Sequence, residues 1–352
     1  MVLYATVPGF YAEVERVANP GLAGRPVIVG GDPRKRGLVQ SASPDALEVG
    51  VAVGMSMREA LELCPQGRAL RTDMGRYRKV ASHLRACFRR LTHRVEPAGL
   101  DAAFLEPRRP EQSAGDLAER LRERIREELF LPLRVGIAPA KFLAKIAAEE
   151  AGITGILRID SEQVASFLAP LPVSRLPGVG ARTAAKLAEL SVRTVGEVAA
   201  LDRRVLEEHL GNHGLAILGY ALGRDDARLR AAPHSRTLSQ ESTLDSDELD
   251  LTLIRERIEE LARHLEAGLV LERLAAKRVT LKLRFADRER ITRSRTLVRP
   301  VAAAPELAAL ARDLLERTQA GIRPVRLVGL GVSSLIRWRR DDRQLELFSS
   351  QS

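Results

Sequence analysis

Cysteines, aromatic residues and long apolar runs are scarce in this 352-residue sequence. With two cysteines, Cys64 and Cys87, a disulfide framework is implausible, and neither has the spacing of a metal ligand. We expect both to be small buried apolar residues. No apolar segment reaches the roughly 18 residues that span a membrane, and the N-terminus lacks the basic region of a signal peptide. These absences predict a cytoplasmic protein with no membrane partner.

The chain is globular in composition and strongly basic. Hydrophobic residues make up 45% and charged residues 29%, and the length suits two to four domains. Lysine and arginine total 56 against 46 acidic residues, which gives a net charge of +10 and an isoelectric point near 10.2. Residues 271–300 contain ten basic and three acidic residues, a local charge of +7. This concentration favours a polyanionic partner.

The first 160 residues mix strand and helix patterns without regular alternation, which predicts an α+β domain. In "YATVPGFYAEVE", a strand ends at Thr6, Val7 and Pro8 before a helical pattern, and this strand end offers no acid, base or metal ligand. "RVEPAGLDAAFLEP" predicts two strands around a Pro-Ala-Gly turn. Asp101 begins the second of these strands.

From Ser161 to about Leu229 the pattern predicts short helices joined by glycine turns. In "SRLPGVGARTAAKL", Gly178 and Gly180 open a helix that carries Arg182 in its first turn. Backbone N–H groups at such a helix start can bind a phosphate, so the segment predicts a helix-hairpin-helix. An ordinary interhelical turn is the alternative. A weaker second copy is predicted around Gly211 and Gly214.

A basic strand and a partly apolar tail follow an extended linker. Arg278, Thr280, Lys282 and Arg284 alternate with apolar residues, so one sheet face could lie along a phosphate backbone. A solvated outer face is the alternative. In the tail "RRDDRQLELFSSQS", Leu345, Leu347 and Phe348 indicate binding to a partner or packing of the C-terminal end.

In this order the motifs resemble those of the Y-family translesion DNA polymerases, over almost the whole chain. The matching segments are "FYAEVE", "NPGLAGRPVIVGG", "GVAVGMSMREALELCP", "VEPAGLDAAFLE", "GIAPAKFLAKIAAEEA", "LPGVGARTAAKL", "SQESTL" and "RPVRLVGLGVSSL", and "QLELF" resembles the bacterial clamp-binding pentapeptide. The resemblance implies a multidomain α+β right-hand fold. It implies a palm (1–10 and 75–160), fingers (11–74), a helix-hairpin-helix thumb (161–230), a linker (231–240), an α/β little finger (241–337) and a tail with the clamp peptide (338–352).

The resemblance also exposes departures at the positions of the metal ligands. Such enzymes hold two divalent ions on carboxylates. The first-strand Asp-x-Asp pattern falls on Thr6 and Pro8, and the hairpin Asp-Glu-Ala reads Asp101, Ala102 and Ala103. Of the three implied metal carboxylates, at Thr6, Asp101 and Ala102, Asp101 alone is retained. We expect it to bind metal weakly or not at all, and we expect no cofactor.

The implied nucleotide pocket departs as well. The tyrosine and arginine of the fingers motif are replaced by Pro44 and Leu47, and Glu48 follows where a base is usual. The lysine after the palm helix is replaced by Gly152. Tyr11 stands at the steric-gate position. These losses resemble the ImuB-type branch, polymerase-like proteins proposed to be inactive adaptors in inducible mutagenesis.

The leading hypothesis is a protein of translesion synthesis that binds damaged primer-template DNA and the β sliding clamp without nucleotidyl transfer. A second translesion polymerase or a recombinase-type factor is a further candidate partner. One alternative is an active low-fidelity polymerase that uses Mg²⁺ on Asp101 and Glu106, and another is a non-replicative DNA-binding protein. The predicted DNA-binding residues are Gly178, Gly180, Arg182, Arg278, Lys282, Arg284, Arg293 and Arg295, and the predicted clamp-binding residues are Gln344, Leu345, Leu347 and Phe348.

Overall fold

The computed structural model describes residues 1–108, 113–225, 228–229 and 237–337. The chain divides into two units, Met1–Ala232 and Pro233–Ser352. Among the described residues, no helix combines the length and the apolar character needed to cross a bilayer.

The first unit contains eight strands and eleven α-helices among its described residues. The strands are β1 (Val2–Thr6), β2 (Val27–Gly30), β3 (Val39–Ala42), β4 (Arg68–Arg71), β5 (Val95–Pro97), β6 (Ala102–Leu105), β7 (Arg134–Ala138) and β8 (Ile156–Arg158). The helices are α1 (Phe10–Ala18), α2 (Pro44–Glu48), α3 (Met57–Leu63), α4 (Met74–Leu91), α5 (Ala114–Leu129), α6 (Lys141–Glu150), α7 (Val164–Leu168), α8 (Ala181–Glu189), α9 (Val195–Ala200), α10 (Arg203–Leu210) and α11 (Asn212–Ala221).

A five-stranded sheet in the order β5-β6-β1-β7-β8 organises this unit. All five residues of β1 are buried, because the sheet has a hydrophobic core on each face. Leu3 and Ala5 pack with α4 and α5 in one core. Val2 and Tyr4 belong to a second core with α6 and the helices that follow it. Thr6 lies two residues after Tyr4, so its side chain is on the face of this second core.

A smaller sheet, β3-β2-β4, lies beside α1 and α3. β2 is antiparallel to β3 and parallel to β4. Its own core includes Ile28, Met57 and Cys64. Cys64 and Cys87 are both buried free thiols, as expected from the sequence.

The second unit packs two helices against a four-stranded antiparallel sheet. Its elements are β9 (Thr237–Glu248), α12 (Leu251–Glu272), β10 (Leu274–Phe285), β11 (Arg290–Val301), α13 (Ala304–Leu315) and β12 (Val325–Arg337). The sheet order is β11-β10-β12-β9. Val279, Leu281, Leu283 and Phe285 are buried, and the residues between them are more exposed. The predicted alternation in this strand is therefore confirmed.

Some element bounds differ from the sequence-based expectation. α12 continues past Ala267 to Glu272, because Leu269 is buried against the sheet. β9 begins at Thr237, inside the segment 231–240 that we expected to be a linker. The short helix α2 is absent from the sequence-based expectation. It begins with Pro44, a residue that is well tolerated in the first turn of a helix.

Candidate active-site cleft and nucleic-acid interface

A cleft of about 440 Å³ lies at the carboxyl end of β1. Its lining residues are Gly9, Phe10, Tyr11, Gln40, Ser41, Ala42, Leu47, Val53, Gly99, Leu100 and Asp101. Asp101 is the one carboxylate among these lining residues, and none of them is a lysine or arginine. The cleft therefore combines a largely apolar wall with a single acidic side chain.

Asp101 is held in the cleft by the turn between β5 and β6. The Val7 amide donates to the carbonyl of Asp101 at 3.0 Å, which ties this turn to the end of β1. Gly99 has φ +142°, and a Cβ there would come within 2.9 Å of Oδ1 of Asp101. Glycine at this position thus leaves room for the carboxylate. A similar constraint acts at Gly9, whose Cβ would meet the carbonyl oxygen of Ala42 at 2.5 Å.

The three predicted metal-ligand positions do lie together. Thr6 pairs with Ala102 across the antiparallel β1–β6 ladder, and the Thr6 hydroxyl donates to Oδ2 of Asp101 at 3.2 Å. Thr6 and Ala102 are 5% and 3% exposed. One carboxylate, one hydroxyl and one methyl group do not fit two divalent ions, which need several oxygen ligands of compensating charge.

Glu106 does not supply a second carboxylate to the cleft. Its carboxylate forms an ion pair with Arg94 at 3.0 Å, and its amide donates to the carbonyl of Arg94. In the described ranges, no group of three or more histidine, cysteine, aspartate or glutamate side chains could hold a metal ion.

Tyr11 lies on the cleft wall, where its ring stacks on that of Tyr77. The ring centroids are 4.3 Å apart and the planes differ by 7°. The Tyr77 hydroxyl donates to Glu15 at 2.8 Å, and Glu15 is also ion-paired with Arg76. Burial raises the pKa of Tyr11, and the negative charge of Asp101 raises it further. The position that the resemblance assigns to the steric gate is therefore occupied by a stacked, neutral phenol.

The predicted nucleotide-binding positions are divided between the cleft and elsewhere. Leu47 lies on the cleft wall and is 43% exposed, whereas Pro44 is buried in the first turn of α2. Glu48 is exposed at the end of the same helix. Gly152 does not line the cleft, and its φ of +75° belongs to the turn that follows α6. The structure thus shows an apolar side chain on the cleft wall where the resemblance implies an arginine.

The glycine turn before α8 has the exposed backbone that a phosphate contact requires. Gly178 and Gly180 are both exposed, and Arg182 is exposed in the first turn of α8. Gly178 has φ +81°, and a Cβ there would come within 2.8 Å of the His213 ring. A Cβ at Gly180 would meet no atom within 4 Å. The two glycines therefore differ, since Gly178 is required by the fold and Gly180 is not.

His213 and Arg175 connect this turn to neighbouring elements. Nε2 of His213, at the start of α11, lies 3.2 Å from the carbonyl oxygen of Gly178. This contact places the predicted second hairpin, at Gly211, beside the first. Arg175 is ion-paired with Glu149 and Glu150 of α6, so this base before the turn is already neutralised.

The basic sheet face of the second unit has a different membership from the predicted one. In the β10–β11 ladder, Arg278 pairs with Thr296, Lys282 with Thr292, and Arg284 with Arg290. Directly paired residues project from the same face, so Arg290 joins the basic face, although the sequence-based prediction omitted it. We define the basic face as Arg278, Lys282, Arg284 and Arg290.

Arg293 and Arg295, which are also predicted to bind DNA, do not lie on the basic face. They pair with Leu281 and Val279, so they project from the apolar, helix-covered face. Arg295 accordingly forms an ion pair with Asp313 of α13 at 3.3 Å, and Arg293 donates to the carbonyl of Arg317. The sequence alone does not separate these two arginines from the basic face, because alternation within one strand does not reveal the register of its neighbour.

The charge of the basic face is partly balanced by one acid. Lys282 Nζ lies 2.8 Å from Oε1 of Glu241. Gly329 of β12 lies between these two residues in the sheet and pairs with each of them. A Cβ at Gly329 would meet Cγ of Glu241 at 2.8 Å, so a glycine is needed beneath this ion pair. Arg278 is exposed and donates to the Ser294 hydroxyl, which leaves most of its guanidinium accessible.

Three other residues of the site carry no recognisable signal in the sequence. Tyr77 and His213 lie on helices and Arg134 begins a strand, and their contacts are with residues distant in the chain. The structure does not describe the predicted clamp-binding residues, Gln344, Leu345, Leu347 and Phe348.

Comparison with known proteins agrees with this architecture. The family model described as "impB/mucB/samB family" matches residues 6–149, its C-terminal domain matches 235–347, and the "IMS family HHH motif" matches 161–190. The last of these matches contains Gly178, Gly180 and Arg182.

The similarity to relatives and to solved structures covers nearly the whole chain. DNA polymerase IV of Alkalilimnicola ehrlichii is 38% identical over 352 residues, covering 99% of each protein, and that of Halorhodospira halophila is 36% identical over 352 residues, covering 99% of this chain and 98% of the relative. A Y-family DNA polymerase chimera of Dbh and Dpo4 superposes with a TM-score of 0.82 at 23% identity, covering 96% of this chain and 99% of the chimera. DinB from Sulfolobus solfataricus superposes with a TM-score of 0.67 at the same identity and coverage. The chain therefore has the Y-family polymerase fold and belongs to the impB/mucB/samB family of Y-family DNA polymerases.

Proposed function

We propose that this chain binds primer-template DNA in translesion synthesis without transferring nucleotides. The observation that carries the proposal is the Thr6–Asp101–Ala102 cluster, which supplies one carboxylate where the resemblance to polymerases implies three. Losing a metal that supplies several kcal/mol would slow the chemical step by about a thousandfold or more. The cleft lining then offers a single carboxylate to a metal, and no lysine or arginine to a nucleotide triphosphate.

The DNA-binding part of the proposal is supported by two separate surfaces. The turn at Gly178 and Gly180 presents exposed backbone at the start of α8, beside the exposed Arg182. The basic face presents Arg278, Lys282, Arg284 and Arg290 on one side of a sheet. Both surfaces would contact phosphates rather than base edges, so we expect affinity that depends on salt and little on sequence.

An active polymerase is the second candidate function, because relatives named DNA polymerase IV are 38% and 36% identical over nearly the full chain. Mg²⁺ would then have to be bound by Asp101 with a second carboxylate. The nearest candidate named from the sequence, Glu106, is ion-paired with Arg94, which disfavours that role.

Two assays on the same protein test the proposal. Fluorescence anisotropy with a labelled primer-template measures binding in EDTA, and primer extension with Mg²⁺ or Mn²⁺ measures synthesis. We expect DNA binding that does not need divalent metal, with no extension product. Templated extension that Asp101→Ala abolishes would establish the active polymerase instead, and failure to bind DNA in EDTA would remove the adaptor role.

We further propose that the segment "QLELF" binds the β sliding clamp, and that the ImuB-type adaptors are the branch nearest in function. This part rests on the sequence. A clamp pull-down compares the wild type with Leu347→Ala/Phe348→Ala, and Ser349→Ala serves as the matched tail control. Equal retention of wild type and double variant would contradict clamp binding through this segment. A partner polymerase or a recombinase-type factor can be sought in the same pull-down.

A further inference from the structure

Arg134 lies at the end of the five-stranded sheet where the resemblance implies the metal ligands. It begins β7 and pairs directly with Thr6 in the β1–β7 ladder, so the two side chains project from the same sheet face. Thr6 in turn donates to the carboxylate of Asp101. The Arg134 side chain is half-buried, and its Nε is buried with no hydrogen-bond partner among the described residues.

Two carboxylates act electrostatically on this guanidinium. Burial lowers the pKa of Arg134, while the negative charges of Glu149 and Asp101 raise it. Glu149 lies on α6, where its carboxylate also accepts from Arg175 at 3.0 Å. Because a guanidinium stays protonated at any physiological pH, Arg134 is a permanent positive charge within electrostatic range of Glu149 and Asp101.

We propose that Arg134 is a built-in cation that takes over charge compensation of Asp101 at the place where a polymerase would hold a divalent ion. The inference deepens the proposed function and rests on the loss of the carboxylates at Thr6 and Ala102. It adds that restoring those carboxylates is not sufficient to restore a metal site. A divalent ion entering between Asp101 and a restored carboxylate would be repelled by the guanidinium on the neighbouring strand.

The strand pairing places Arg134 directly beside residue 6, where this repulsion would act. Thr6 stands between Ala102 on β6 and Arg134 on β7, and all three share one sheet face. A carboxylate placed at residue 6 would therefore lie beside Arg134 and could form an ion pair with it. That ion pair would compete with metal for the same oxygens, and Arg134 would weaken divalent binding by at least about tenfold.

Mn²⁺ binding measured by electron paramagnetic resonance tests the inference without any activity readout. The three proteins are Thr6→Asp/Ala102→Glu, the same double variant with Arg134→Ser, and the same double variant with Arg134→Lys. We expect the serine variant to bind Mn²⁺ at least about tenfold more tightly than the other two. Arg158→Ser in the double-variant background is the control, because Arg158 is an exposed arginine of the adjacent strand β8. Equal Mn²⁺ affinity with and without Arg134 would overturn the inference.

A second measurement needs no metal site and covers the case in which the multiple variants fail to fold. Urea unfolding is compared for the wild type, Arg134→Ser, Asp101→Asn and the double variant. If Arg134 compensates Asp101, removing the arginine costs less stability once the carboxylate is gone, so the two losses are not additive. Additive losses would overturn the charge pairing. Primer extension by the wild type would overturn the proposed function separately, whatever the result at Arg134.

Discussion

The hydroxyl of Thr6 donates a hydrogen bond to Oδ2 of Asp101 over 3.2 Å, joining two residues 95 positions apart in the sequence. The bond connects the end of β1 to the turn before β6, and the backbone bond from Val7 to Asp101 runs beside it. A neutral donor thus occupies the space where the resemblance to polymerases implies a second carboxylate. The carboxylate of Asp101 is therefore engaged in a hydrogen bond within the protein.

Removal of the Thr6 hydroxyl should therefore lower stability. Thr6→Val keeps the shape of this 5% exposed side chain but leaves a carboxylate oxygen without its donor. We expect a loss of about 0.5–1.5 kcal/mol in the free energy of unfolding, measured by urea denaturation. Thr6→Ser, which keeps the hydroxyl, should lose less. A Thr6→Val variant as stable as the wild type would show that the bond contributes nothing.

The two glycines of the hairpin turn should respond differently to alanine. Gly178→Ala places a Cβ at φ +81° and 2.8 Å from the His213 ring, so we expect a lower melting temperature and weaker DNA binding. A Cβ at Gly180 meets no protein atom within 4 Å, so Gly180→Ala should leave the melting temperature unchanged. It should weaken DNA binding, because the added methyl group would stand on the exposed turn that is proposed to contact a phosphate. Thermal denaturation and fluorescence anisotropy measure the two effects. Unchanged DNA affinity in Gly180→Ala would argue for an ordinary interhelical turn.

Salt dependence should separate the two faces of the second unit's sheet. Arg278→Gln removes an exposed guanidinium from the basic face, so the slope of log affinity against log salt should fall by about 1. Arg295→Gln removes the same group from the opposite face, where it is ion-paired with Asp313, and should leave the slope unchanged. Anisotropy titrations between low and moderate salt make the comparison. Equal slopes in both variants would contradict the assignment of the basic face.

Stability should depend on pH through Glu13, which is buried in α1. Burial raises the pKa of Glu13 above its ordinary value of 4.5, and the Arg16 ion pair offsets this only in part. An acid with a raised folded-state pKa contributes stability that is complete below pH 4.5 and is lost as pH rises through the folded-state value. The unfolding free energy of Glu13→Gln should thus rise relative to the wild type as pH increases from 4 to 7.

Urea denaturation at several pH values provides the check on Glu13. Glu62→Gln is the control, because Glu62 is exposed on α3. A difference between Glu13→Gln and the wild type that stays constant from pH 4 to pH 7 would contradict the raised pKa.

Much of the fold was accessible from sequence because its signals are local. The burial alternation in β10 and the glycine turn before α8 follow from residues next to one another. The position of Thr6 beside Asp101 was inferred through the family resemblance, and the structure brings these two residues together. The β10–β11 register was not accessible, since it depends on how two strands pair, so the sequence does not show that Arg293 and Arg295 lie on the face opposite Arg278 and Lys282. The position of Arg134 was not accessible for the same reason, because its partner Thr6 is on another strand.

Single-turnover nucleotide incorporation on a primer-template tests the central claim most directly. The assay uses the wild type with Mg²⁺ and with Mn²⁺, and Asp101→Ala measured in parallel sets the background. The proposed function predicts that wild type and Asp101→Ala give the same background, although both bind the DNA. Templated incorporation by the wild type that disappears in Asp101→Ala would show that the single carboxylate still supports synthesis, and would contradict the account.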